Sequence, residues 1–115
     1  MFEKNLRLAV LFDLYGDLLT EAQSTMFGYY YNDDLSLSEI AENTGITRQG
    51  VRDSIKRAED ALVSYEKKLR LAERLDRFTK RSEEAETLLF SLKTKYPEAS
   101  ADIDRVASLF GALSF

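Results

Sequence analysis

Apolar positions in this chain recur three and four residues apart almost from end to end, and nowhere do they alternate as a strand requires. The pattern predicts an all-α protein. A first helix is expected from about Glu3 to Tyr15; Leu6, Leu8, Val10, Leu11, Phe12, Leu14 and Tyr15 make it apolar on more than one face, so heavy burial follows. Gly16 and Asp17 break it. Thr20 then caps a second helix, with Gln23 completing a capping box, and that helix should end near Tyr31 and Asn32.

The third helix has the sharpest start. Ser36 stands as N-cap, Glu39 as its capping-box partner three residues on, and Leu35 with Ile40 as hydrophobic staple. Gly45 supplies the left-handed residue that ends it early. Thr47 caps a fourth helix, with Ile46 and Val51 spaced as a second staple. In that helix Val51, Ile55, Ala58, Leu62, Tyr65, Leu69 and Ala72 follow a strict 4-3 spacing with no breaker before about Phe78. Thirty helical residues would span roughly 45 Å, so the distal half must pack on another element or a second subunit. Ser82 is placed to cap a further helix carrying Ala85, Leu88, Leu89, Leu92 and Tyr96, and Pro97 opens the last, with Ile103, Val106, Phe110 and Leu113 on one face. The reading is one all-α domain over 1–115, with a core at 20–60 and a long-helix extension with C-terminal helices over 61–115.

The segment SLSEIAENTGITRQGVRDSI has the form of a helix-turn-helix. Ala41 allows the two helices to approach, Gly45 takes the positive φ of the turn, and Ile40, Ile46 and Val51 anchor the second helix on the first. On a helical wheel Val51, Ile55, Ala58 and Leu62 share the core face. Gln49, Asp53, Lys56 and Asp60 point away, with Arg52 on the flank and Arg48 near the helix start. Gln49, Arg52 and Lys56 suit base edges in a major groove. Thr47 and the first amides suit a phosphate, and Arg57 and later basic residues suit the backbone. Asp53 would accept from cytosine or orient Arg52. The same charges also fit an ordinary solvated helix face.

Charge sharpens this picture. The whole chain carries a formal net charge of −4, yet residues 46–81 hold 11 basic and 6 acidic side chains, while 1–45 hold 2 and 8. A localised electropositive surface on an acidic scaffold has this signature, as does a salt-bridged helix. Composition removes whole classes of chemistry. With no cysteine and no histidine, thiol nucleophiles, zinc–thiolate sites and imidazole bases are excluded, and no phosphate loop or nucleophile motif appears. No enzyme, cofactor or metal site is expected. The uncharged run Leu8–Phe12 is too short for a signal peptide or a membrane span, so no membrane partner and a cytoplasmic location are expected. Tyr29, Tyr30 and Tyr31 either close a core or stack unpaired bases. Asp33 and Asp34 lack the ligand alternation of a calcium loop and read as an acidic turn.

The run from Leu19 resembles region four of bacterial sigma factors. A closer resemblance is to YlxM-like proteins, carried by EKNLRLAVLFDLYGDLLTEAQ, by the tyrosines before DDLSLSEIAE, and by TRQGVRDSIKRAE leading into a long helix. It covers about residues 3–71, with little to match beyond Leu75. Gly50 departs from it, standing where alanine is more usual. The resemblance implies a small cytoplasmic helix-turn-helix regulator with a role in the signal recognition particle pathway. It implies no particular DNA target; the basic 46–81 segment and the groove-facing polar set are what make double-stranded DNA the expected partner, met by Thr47, Arg48, Gln49, Arg52, Asp53, Lys56 and Arg57. The alternative is a non-catalytic module binding the RNA or protein of that particle. Surplus apolar surface on the first and the C-terminal helices, through Leu113 and Phe115, predicts a homodimer.

Overall fold

Residues 4–112 are described by the structure, a computed structural model. Among them are six α-helices and no strand: α1 (Leu6–Tyr15), α2 (Glu21–Tyr31), α3 (Leu37–Thr44), α4 (Arg48–Leu69), α5 (Leu71–Lys95) and α6 (Ser100–Ala112), with 3-10 turns at Gly16–Leu18 and Pro97–Ala99. The caps read at Thr20, Ser36, Gly45 and Thr47 are in place, whereas Ser82 lies inside a helix. Thr20 with Gln23 and Ser36 with Glu39 form complete capping boxes. The Thr47 hydroxyl accepts from the Gly50 amide at 3.0 Å. Gly45 closes α3 at φ 73°, where a β-carbon would be strained. At the first helix the Asn5 side chain accepts from the Arg7 amide at 3.0 Å and sets the start three residues later than expected.

The helices form two compact units, the first ending at Ala72 and the second beginning at Glu73. In the first, α4 is the spine, packed against α1, α2 and α3. Its proximal end meets Met26, Tyr30 and Ile40 through Val51 and Ile55. Its distal end meets Leu8, Leu11, Tyr15, Leu19 and Phe27 through Ala58 and Leu62. The cover sought for the far half of α4 is thus α1. That helix buries Leu8, Leu11 and Tyr15 but leaves Leu6 and Val10 largely exposed, so its burial is one-sided. Ile46 remains 41% exposed; the second staple contributes Val51 to the core but not Ile46.

Three tyrosines tie this unit together. Tyr31 stacks on Phe27 with ring centroids 4.1 Å apart, donates its hydroxyl to Glu59 at 2.6 Å, and accepts from the Asn5 amide at 3.1 Å. Tyr15 donates to Glu66 at 2.7 Å, and Tyr65 donates to the Leu18 carbonyl at 3.2 Å. Burial and the carboxylate acceptor push the Tyr31 phenol up to about 12. The same causes raise Tyr15. The tyrosine run therefore closes the core. Asp34, at φ 56°, pairs with Lys4, which holds its carboxyl below the usual range; the acidic turn reading stands.

The end of the fourth helix also differs from expectation. The fourth helix stops at Leu69, 22 residues long, because Arg70 turns left-handed at φ 53°. Arginine carries no local signal for this. The break is supported from outside the helix: the Tyr15 hydroxyl accepts from the Leu71 amide at 3.0 Å, and Glu66 accepts from the Ala72 amide at 3.0 Å. These acceptors satisfy amides that open α5 and would otherwise lack partners. With its start capped there, α5 runs to Lys95 without the interruption expected before Ser82.

The second unit is built differently. From Glu73 onward no described residue is buried. Leu89 and Lys93 of α5 line a cleft with Ile103 and Ala107 of α6, and Lys93 pairs with Asp104 at 2.8 Å. Leu113 and Phe115 lie outside the described residues.

Candidate nucleic-acid interface

The site begins with the tight turn between α3 and α4. Gly45 and Thr47 are both fixed by caps, so α4 leaves α3 at a set angle and its outer face is presented on a rigid base. Val51 and Ile55, both fully buried, anchor the inner face. All seven residues expected to meet nucleic acid are exposed: Thr47, Arg48, Gln49, Arg52, Asp53, Lys56 and Arg57. Arg48, Arg52 and Lys56 are spaced by four and run as one stripe about 12 Å long. Thr47 uses an oxygen lone pair for its cap, which leaves its O–H proton for an external acceptor. The first helical bond runs from the Val51 amide to the Thr47 carbonyl at 2.9 Å, so the Arg48 and Gln49 amides precede the ladder.

Besides the Thr47 cap, side-chain contacts join residues of this face. Gln49 donates its amide to Asp53 at 2.9 Å, and Lys56 pairs with Asp60 at 3.1 Å. Asp53 thus accepts from Gln49, a contact the sequence reading did not name; the four-residue spacing was the available signal. Asp60 belongs to the same surface for the same reason. Both contacts are exposed and so exchange at low cost.

Electrostatically the face is more basic than the charge count suggests. Between residues 46 and 72 there are seven basic and four acidic side chains. Two of the acids, Glu59 and Glu66, are only 8% exposed and are engaged by tyrosine hydroxyls. Asp53 and Asp60 are the remaining carboxylates of that stretch, while Arg48, Arg52, Lys56, Arg57, Lys67, Lys68 and Arg70 all face solvent.

Gly50 has a packing role. A β-carbon there would sit 2.9 Å from Ile46 Cγ2 and 3.0 Å from Thr47 Oγ1. The missing methyl lets Ile46 lie close over the helix start, and this offsets the weaker helix propensity of glycine.

Comparison with known proteins agrees with this geometry. Residues 2–106 match the family described as "Putative helix-turn-helix protein, YlxM / p13 like" (UPF0122). A UPF0122 protein of Shouchella clausii is 46% identical over 110 residues, covering 95% of this chain and 99% of that protein. One from Clostridium kluyveri is 55% identical over 71 residues, 62% of this chain and 64% of its own length. One from Lacticaseibacillus casei is 42% identical over 99 residues, 86% and 85% of the two chains. The chain belongs to this helix-turn-helix family. The match also reaches into α6, well past the limit near Leu75 expected from the sequence. Among the described residues no helix is long and apolar enough to cross a membrane.

Proposed function

We propose that this helix-turn-helix chain is a non-catalytic DNA-binding regulator that reads the major groove of a duplex with the first three turns of α4. The observation that carries the reading is the exposed stripe Arg48, Arg52 and Lys56, beside Gln49, on a helix whose start is capped and whose opposite face is buried. Arginine and lysine match guanine and glutamine matches adenine, while Thr47 and the leading amides suit a phosphate. Arg57, Lys67 and Lys68 are suited to the backbone, where they raise affinity without reading sequence. A homodimer would present two such helices, and a separation of about 34 Å would match successive major grooves.

Selection from a random duplex pool followed by anisotropy titration tests this reading. Arg52→Ala should weaken a preferred duplex by about 1–3 kcal/mol and relax its sequence preference. Neutralising Lys67 and Lys68 should weaken all duplexes alike and flatten the salt dependence. An Arg48/Arg52 double alanine variant that binds as well as the parent would remove α4 as the reader.

The net charge of −4 and the local pairing of Gln49 and Lys56 favour a second reading. In it the same surface serves as a protein- or ribonucleoprotein-binding module of the signal recognition particle pathway, as the YlxM-like resemblance suggests. Tight binding of that particle's RNA or protein, with only weak and unselective duplex binding at physiological salt, would decide for it.

A further inference from the structure

The most outward line of α4 carries a carboxylate. Taking Val51 as the inward direction, Gln49 and Asp53 lie about 20° either side of the opposite line, while Arg48 and Arg52 stand on its flank. Both residues are exposed. Both also belong to the first two turns, the end that meets base edges when the second helix of such a motif enters a groove. An acid at that depth faces a polyanion and lowers affinity for any duplex. Nor can it lose its water without taking a proton donor in exchange. The donor is at hand, because Gln49 Nε2 gives a proton to Asp53 Oδ1 at 2.9 Å.

This bond fixes more than a position. A side-chain amide can present its two ends either way round, since its last torsion is broad and roughly two-fold. An ionised Asp53 only accepts, so the nitrogen end must turn towards it and the oxygen end away. One Nε2 proton is then spent. What remains is one N–H donor beside one carbonyl acceptor, the complement of adenine, whose major-groove edge offers N7 as acceptor and the N6 amino group as donor. Guanine offers two acceptors, N7 and O6. It would set one of them against Gln49 Oε1. Without Asp53 the amide is free to turn over and to give both protons, and guanine becomes acceptable. Once water leaves the groove the Gln49–Asp53 bond strengthens, so an exchange that costs little in the free protein costs more in the complex. The Lys56–Asp60 pair has no such directionality, because an ammonium is a rotating donor with no acceptor end.

We propose that Asp53 is a specificity-determining residue of this surface: it orients the Gln49 amide so that the pair reads adenine and rejects guanine, at a cost in overall affinity. This role rests on α4 reading a duplex, as proposed above, and names what one part of that helix selects. Asp53 is a positioning residue, acting on the base through Gln49.

Selection of the full chain on a randomised duplex pool, with the bound fraction sequenced, tests this role. The proteins compared are the parent, Gln49→Ala, Asp53→Ala, Asp53→Asn and the Gln49→Ala/Asp53→Ala double variant. The parent should enrich adenine at one position of its preferred duplex, and Gln49→Ala should abolish that enrichment alone. Asp53→Ala should lose about ten-fold in adenine-over-guanine preference at the same position. It should nonetheless bind mixed duplex more tightly, because a carboxylate has left the groove. A merely structural role would not move affinity and selectivity in opposite directions. Asp53→Asn keeps an acceptor for Gln49 and drops the charge, so it should tighten binding and retain most of the preference. In the Gln49→Ala background, Asp53→Ala should change the preference no further. Both side chains are exposed, so each variant should melt as the parent does. An Asp53→Ala protein that prefers adenine as strongly as the parent overturns the proposal. So does a preference lost at a cytosine that Gln49→Ala leaves intact, since Asp53 would then read a base itself. A parent that enriches no sequence removes the reading by α4 along with this role. If Arg52→Ala relaxes a position while Gln49→Ala and Asp53→Ala relax none, this role alone fails.

Discussion

The unit ending at Ala72 and the unit beginning at Glu73 are both helical with apolar residues three and four apart, yet their interiors have little in common. The first encloses Phe27, Ile40, Val51, Ile55, Ala58 and Leu62 with no measurable exposure, and binds its helices by tyrosine–carboxylate contacts between residues 28 and 51 apart in sequence. In the second, α5 and α6 are joined by the ion pair of Lys93 with Asp104, 11 residues apart, and nothing is buried among its described residues. Heptad-like spacing promises an apolar stripe, not a partner for it. Three helices converge on α4 and make a core; the second unit has no such convergence, and its apolar side chains stay exposed.

The comparison can be broken most forcefully in the core. Phe27, stacked on Tyr31 and 4.6 Å from the Phe12 ring centre, has no exposure. Phe27→Ala should cost about 3–5 kcal/mol in urea unfolding. Leu88→Ala, at a side chain 59% exposed, should cost under about 0.5 kcal/mol. Similar losses from both would mean that the two units are packed alike.

A smaller effect tests the polar tie at the end of α4. Tyr15→Phe keeps the ring but leaves Glu66 without one donor and the Leu71 amide without its acceptor. The loss should be about 1–3 kcal/mol, accompanied by faster amide exchange at Leu71. Unchanged exchange there would show that Arg70 turns left-handed for some other reason.

The subtlest effect is with pH. Tyr31 titrates at about 12 in the folded protein, above the ordinary value of 10.0. A raised folded value means that the contribution is complete below pH 10 and is lost as pH climbs towards 12. Tyr15, shifted the same way, adds to the trend. Unfolding stability should therefore fall through that alkaline window, and Tyr31→Phe should flatten part of the fall. A Tyr31→Phe protein with the same alkaline slope as the parent would remove Tyr31 from the account.

Much of the candidate site was legible because its signals are local. The capping boxes at Thr20 and Ser36, the Thr47 cap and the left-handed Gly45 each involve residues within about four positions, so sequence proximity supplies the partners. The outward face of α4 follows from helical periodicity once Val51 and Ile55 are known to point inward. By the same logic Gln49 with Asp53 was within reach of a four-residue rule. Ile46 was not, since its spacing fits a staple while its exposure depends on how closely it settles over Gly50.

The amino-acid sequence by itself determined the helical class, the turn at Gly45 and the residues offered to solvent on α4, because dihedral preference and capping act over one turn of chain. Only the tertiary structure decided that the long helix breaks at Arg70, that Glu59 and Glu66 leave the surface to hold Tyr31 and Tyr15, and that α1 covers the distal half of α4. Those outcomes depend on groups from 28 to 56 residues apart meeting in space, and a hydroxyl or carboxylate carries no sign in its own neighbourhood of the distant amide it will satisfy.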